Sequence, residues 1–142
     1  TSYKTLISIS PMIFIGSGVL MVFSRDLNVI STGIQSAMSR GVEVVKVQKI
    51  GFIMASLLTG AVVSLSGPIG FVGLIVPHIV RLIVGPDLRI LLPASMFFGA
   101  SFLIMCDTLA RTIIAPTEIP VGIITAMLGG PFFVWLLKRP KR

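Results

Sequence analysis

Charge is what this sequence has least of. Only 12% of its 142 residues are Asp, Glu, Lys or Arg, against about 25% in a soluble domain. Too little polar surface remains to face water, and a mean hydropathy of +1.02 excludes an ordinary soluble fold. Cysteine is nearly absent as well: the single Cys106 lies in an apolar run, so neither an internal disulfide nor a cysteine metal cluster is available. There is one histidine, His78, and a lone imidazole is a poor metal site because useful sites gather several ligands. No Gly-x-x-x-x-Gly-Lys-[Ser/Thr] loop is present to cradle ATP phosphates. Spaced carboxylates and a Ser–His pair are also missing from the apolar stretches. The chain is therefore expected to be no catalyst by itself and to bind no cofactor or metal. Its first residues lack the charged segment, short apolar run and cleavage site of a signal peptide, and no initiator Met precedes them. The expectation is the C-terminal part of something longer, with a processed short protein as the alternative.

What is present is a set of apolar runs with basic residues between them. The net charge of +7 does not point to nucleic acid, because the basic residues are not set among aromatics on a polar surface. They sit where loops on the cytoplasmic side of a membrane keep them. Uncharged stretches cover residues 5–23, 50–80, 90–106 and 119–137. Crossing a bilayer takes roughly 20 residues, so the first, third and fourth each make one span. The third is expected to run on past Asp107.

The second stretch is too long for one crossing, since its 31 residues would make a helix of about 46 Å at 1.5 Å per residue. Gly67-Pro68 offers a break, leaving one span near residues 46–66 and a short one near 74–84. Charge separates the two readings. A single crossing divides the basic residues almost evenly between the two sides. Two crossings put ten on one side and leave Lys4 and Arg111 opposite, as the positive-inside rule requires. The expected architecture is all-α and polytopic, with about five transmembrane helices, one of them short, and a cytoplasmic C-terminus. Gly67, Pro68 and Gly70 would make the outer turn, and Gly73, Pro77 and His78 would lie in the short return span. There His78 would hold a hydrogen bond to its neighbours.

Small residues at four-residue spacing, Ser56/Gly60/Ser64, Ser95/Gly99 and Ala126/Gly130, suggest close helix packing in lipid. Pro93 and Pro131 are read as lying near helix starts, and Pro11 as kinking the first span. Residues 24–49 form the one long polar connection. Leu27, Val29 and Ile30, then Ile34, Ala37 and Met38, read as the apolar sides of two short helices ended by Gly33 and Gly41. Such a hairpin suits a protein docking surface or an amphipathic segment lying on the membrane. Asp107 and Arg111 are placed as an i,i+4 ion pair.

Taken together, "LNVISTG", "SGPIGFVGLIVPHIVRLIVGPDLRILLP", "GASFLIMCDTLAR" and "PTEIPVGIITAMLGGPFFVWLLKR" resemble the FecCD family, the permease subunits of ABC importers for iron chelates and vitamin B12. The resemblance covers about residues 26–139. It implies the last five of about ten transmembrane helices in one permease domain, a second permease subunit, and a multi-pass place in a bacterial or archaeal inner membrane. It also implies an ATP-binding subunit, which would hold ATP and Mg, and a periplasmic or lipid-anchored substrate-binding protein. Within it residues 24–45 become a cytoplasmic coupling loop, with Leu27, Asn28, Gly33, Ala37 and Gly41 meeting the ATPase. Arg111, with Glu118 in the same outer loop, would dock the binding protein; the other reading of Arg111 is a purely structural pair with Asp107. The chain departs from the family in having Thr32-Gly33-Ile34 for Leu-Gly-Glu and Arg40-Gly41 for Leu-Gly. Rival readings are an ATP-independent transporter or channel and a truncated, non-transporting membrane protein.

Overall fold

The computed structural model describes residues 3–113 and 119–138. The order of elements is α1 (Tyr3–Ser31), α2 (Ile34–Ser39), α3 (Val44–Ser66), α4 (Val72–Val84), α5 (Leu88–Ile113) and α6 (Val121–Lys138). No strand occurs among the described residues. Four helices, α1, α3, α5 and α6, are long and apolar enough to cross a bilayer, and α4 is a shorter apolar helix. This is the five-span architecture that the charge count favours, with the long uncharged stretch split after Ser66.

Backbone chemistry explains why these segments are helical. In hydrocarbon each amide must be satisfied inside its own segment, which a helix does. Several hydroxyls in the spans bond back to carbonyls three or four residues earlier, although Ser95 Oγ in α5 is buried without a partner among the described residues. Thr59 donates to Ala55 O at 2.8 Å, Ser101 to Phe97 O at 3.0 Å and Thr108 to Ile104 O at 2.8 Å. Large apolar side chains point outward, Phe52 and Phe97 being more than three-quarters exposed. That suits a surface meeting lipid tails or further helices.

Two compact units divide the chain. The first holds residues 1–67 with 87–89, and the second holds 68–86 with 90–142. In the first, α1 runs along α3, and Gly16 of α1 is the close approach. A Cβ there would lie 2.8 Å from Leu58 Cδ2. Ala37 of α2 is fully buried, as are Val44 and Val47 at the start of α3. In the second unit, Cys106 and Ala110 of α5 pack on Ile124 of α6, flanked by Phe102 and Val121. Gly99 of α5 meets Val76 of α4 at 3.5 Å.

Several expectations need correcting. The first short helix of the loop is not separate, because α1 continues unbroken to Ser31. No glycine or proline interrupts residues 24–31, and the Ser24 and Ser31 hydroxyls bond back to Met21 O and Asn28 O at 2.6 Å each. Pro131 lies in the middle of α6, not near its start, and Pro93 lies inside α5. Gly60 and Gly130 have nothing within 4 Å of a would-be Cβ, so neither glycine is a close approach among the described residues. Gly129 carries the contact instead. His78 meets the Phe132 ring edge-on, with centroids 6.1 Å apart, where a hydrogen bond was expected.

The turn after α3 follows the expected residues with one surprise. Gly67 takes φ +74 and caps α3, and Pro68 O lies 3.0 Å from a would-be Cβ on Gly122 at the start of α6. Gly70 and Gly73 have no positive φ, and a Cβ added at either would meet nothing within 4 Å. The left-handed residue is Phe71, with φ 65, a conformation costing about 1–2 kcal/mol outside glycine. Its ring is seated on the bare backbone of Gly129, where a Cβ would sit 2.3 Å from Phe71 Cβ and 2.6 Å from Cγ.

That contact predicts opposite outcomes at adjacent glycines. Gly129→Ala should destabilise the protein by about 1–3 kcal/mol, the usual cost of overpacking, lowering its thermal midpoint in detergent. Gly130→Ala, facing open space, should leave the midpoint unchanged.

Candidate functional site

Two places gather polar chemistry, one in each unit. In the first unit it is the corner formed by the end of α1, by α2 and by the start of α3. Gly33, with φ +137, separates α1 from α2, and Gly41, with φ +79, turns the chain toward α3. Both angles belong to the left-handed half of backbone space, which glycine enters without steric cost. A short hydrogen-bonded ladder closes the corner: Ala37 N–H donates to Gly33 O at 3.0 Å, and Val42 N–H to Ala37 O at 3.1 Å.

The side chains assigned to ATPase coupling divide by direction. Leu27 is half-buried, with Cδ2 3.9 Å from a would-be Cβ on Gly51 of α3, and Ala37 is wholly enclosed. Both hold the corner together from within. The exposed apolar side chains are Ile34 and Met38 of α2. Met38 also borders an apolar groove of about 520 Å³ with Val42, Val44, Val45 and the basic Lys46 and Lys49. Lys46 is 3.5 Å from Glu43, an exposed pair of small energetic weight.

Asn28 is bonded within the chain. Its amide Nδ2 donates to Asp87 Oδ1 at 2.6 Å, while its Oδ1 accepts the Leu88 N–H at 2.9 Å. Asp87 Oδ1 also accepts the Arg89 N–H at 3.0 Å, the pattern of a helix N-terminal cap. The Arg89 amide, then the Asn28 side chain, hold the Asp87 carboxyl below its ordinary value against a small opposing effect of burial. A lowered carboxylate pKa means that the contact is fully present above the usual carboxylate range. It is lost as pH falls through the lower folded value. Asp87 went unread in the sequence. "GPD" ahead of an apolar run is a legible cap signal, but nothing local shows that Asn28 sits opposite it.

The second place lies in the other unit, at the end of α5. Arg111 Nε donates to Asp107 Oδ2 at 2.9 Å, one turn apart. Both are partly exposed and border a cleft of about 250 Å³ with Ile119, Pro120 and Val121 at the start of α6. The expected i,i+4 pair is thus formed. Glu118 lies outside the described residues. Among the described residues no three of His, Cys, Asp and Glu come together in a metal-binding group.

With this geometry the chain compares closely with known transporters. The FecCD transport family's sequence profile matches residues 1–139. The cobalamin import system permease protein BtuC of Halobacterium salinarum is 50% identical over 128 residues, 90% of this chain and 34% of that protein. The hemin transport system permease protein HmuU of Yersinia pestis is 41% identical over 139 residues, 98% of this chain and 42% of that protein. A solved structure of an inward-facing "metal-chelate type ABC transporter" matches with a TM-score of 0.89 and 32% identity. The match covers 96% of this chain and 44% of that one. The chain therefore spans well under half the length of the relatives it matches. Over that span it is an integral membrane chain that belongs to the FecCD transport family.

Proposed function

We propose that the chain is the C-terminal portion of the permease subunit of an ATP-driven importer for an iron-chelate, haem or cobalamin-type substrate. The observation that carries this reading is the family match over residues 1–139, joined to a glycine-hinged corner with an exposed apolar face at Ile34 and Met38. In this reading the corner faces the cytoplasm of an inner-membrane protein and meets an ATPase subunit, which holds ATP and Mg and performs the hydrolysis. A second permease subunit completes the path. The opposite end of α5, with Arg111, receives an acidic surface of a substrate-binding protein, and Glu118, seven residues on in the sequence, tunes that contact. The Asp107 pair then orients the guanidinium for that contact.

The mechanism follows from the helices. Nucleotide-driven closure of the ATPase displaces α2, and the hinges at Gly33 and Gly41 let it move without unwinding α1 or α3. Substrate passes between apolar walls, where weak contacts allow a bulky chelate to leave.

Three outcomes test this. The full-length permease should co-purify with an ATPase subunit; a permease that never retains one rejects the reading. Arg111→Glu should weaken capture of the binding protein at least tenfold, about 1.4 kcal/mol, while Arg111→Lys keeps most of it. Equal capture by the Glu variant leaves only the structural pair. Gly41→Val forces a β-branched residue to φ +79, so uptake of radiolabelled cyanocobalamin, hemin or ferric citrate should fall while ATP hydrolysis persists. Full uptake at wild-type stoichiometry removes the hinge assignment.

A further inference from the structure

We propose that Asn28 and Asp87 form a mechanical joint that couples the end of α1 to the start of α5, so that α5 carries motion of the coupling corner along its length to Arg111. The proposal rests on the importer reading above but assigns Asn28 a partner inside the chain rather than on the ATPase.

The geometry is that of a two-point clamp. One planar amide both donates to a carboxylate and accepts from a backbone N–H, with the two contacts at 2.6 and 2.9 Å. Such a pair fixes orientation as well as distance, and the bond to an ionised oxygen is the stronger kind. The same carboxylate oxygen accepts the Arg89 amide, so the clamp holds a helix terminus rather than a loose loop. Residues 87–89 group with α1 to α3, while the remainder of α5 belongs to the other unit. The clamp thus fastens the first turn of α5. α5 is continuous from Leu88 to Ile113, and Arg111 stands in its last turn. Gly85, at φ +86, precedes the clamp and ends α4.

The sequence separation argues against a merely local cap. Asp87 alone would cap α5 through Arg89, with no need of Asn28. Asn28 is 59 residues away, and its amide is occupied on both sides.

The test uses the full-length permease assembled with its ATPase subunit in lipid nanodiscs, spin-labelled at Ile7→Cys and Ile113→Cys, two exposed positions. The readout is the change in label distance between nucleotide-free and ATP–vanadate-trapped states. Asn28→Ala should reduce that change by half or more, with ATPase retention unchanged and hydrolysis within twofold of the parent. The exchange Asn28→Asp with Asp87→Asn keeps a carboxylate, an amide donor and both backbone contacts, and should restore the change. An Asn28→Ala protein that moves like the parent overturns the joint, as does an exchange variant that fails to recover. Loss of ATPase retention in Asn28→Ala also overturns it, because the side chain would then be a docking contact. A parent permease that never retains the ATPase removes the importer reading itself, and the joint with it.

Discussion

A peptide group inside a bilayer has no water to turn to, so every reversal of this chain must occur where the backbone can leave the helix cheaply. Among the described residues the positive-φ positions are Gly33, Gly41, Gly67, Phe71 and Gly85, and each stands at a helix end. Four are glycine, which enters that region without a Cβ clash. The fifth, Phe71, keeps its strained angle because its ring fills the space that Gly129 leaves open. α1 passes through the polar residues Ser24 to Asn28 and stops only before Gly33.

Polar side chains are few, so the places where they meet carry most of the specificity. One is the clamp of Asn28 on Asp87 and Leu88; the other is Arg111 beside Asp107. They lie near opposite ends of the same helix. Between them α5 offers Cys106 and Ala110 to α6 and Gly99 to α4. Small residues at these contacts let backbones approach closely, where lipid supplies no hydrophobic force between helices.

Much of the fold was legible in the residues. Span positions followed from the length of the uncharged runs, and the split at Gly67-Pro68 from the balance of basic residues. The pair of Asp107 and Arg111 followed from helical spacing. The corner of α1, α2 and α3 was legible only in outline. Local pattern found its turns at Gly33 and Gly41, but could not tell that Leu27 and Ala37 point inward while Ile34 and Met38 face out. Apolar residues on a short helix look alike in sequence whether they bury against a neighbour or await a partner.

Composition and charge placement by themselves determined that this is a polytopic helical membrane chain, where its spans lie and where it turns. Those properties depend on the apolar length of a segment and on residues adjacent in the chain. Tertiary structure alone decided that Asn28 closes on Asp87 and Leu88, that α1 runs unbroken into the corner, and that Gly129 rather than Gly130 receives Phe71. These depend on which face of one helix meets another across tens of residues. A helix rotates each successive side chain by about 100°, so a neighbour one position away faces open space.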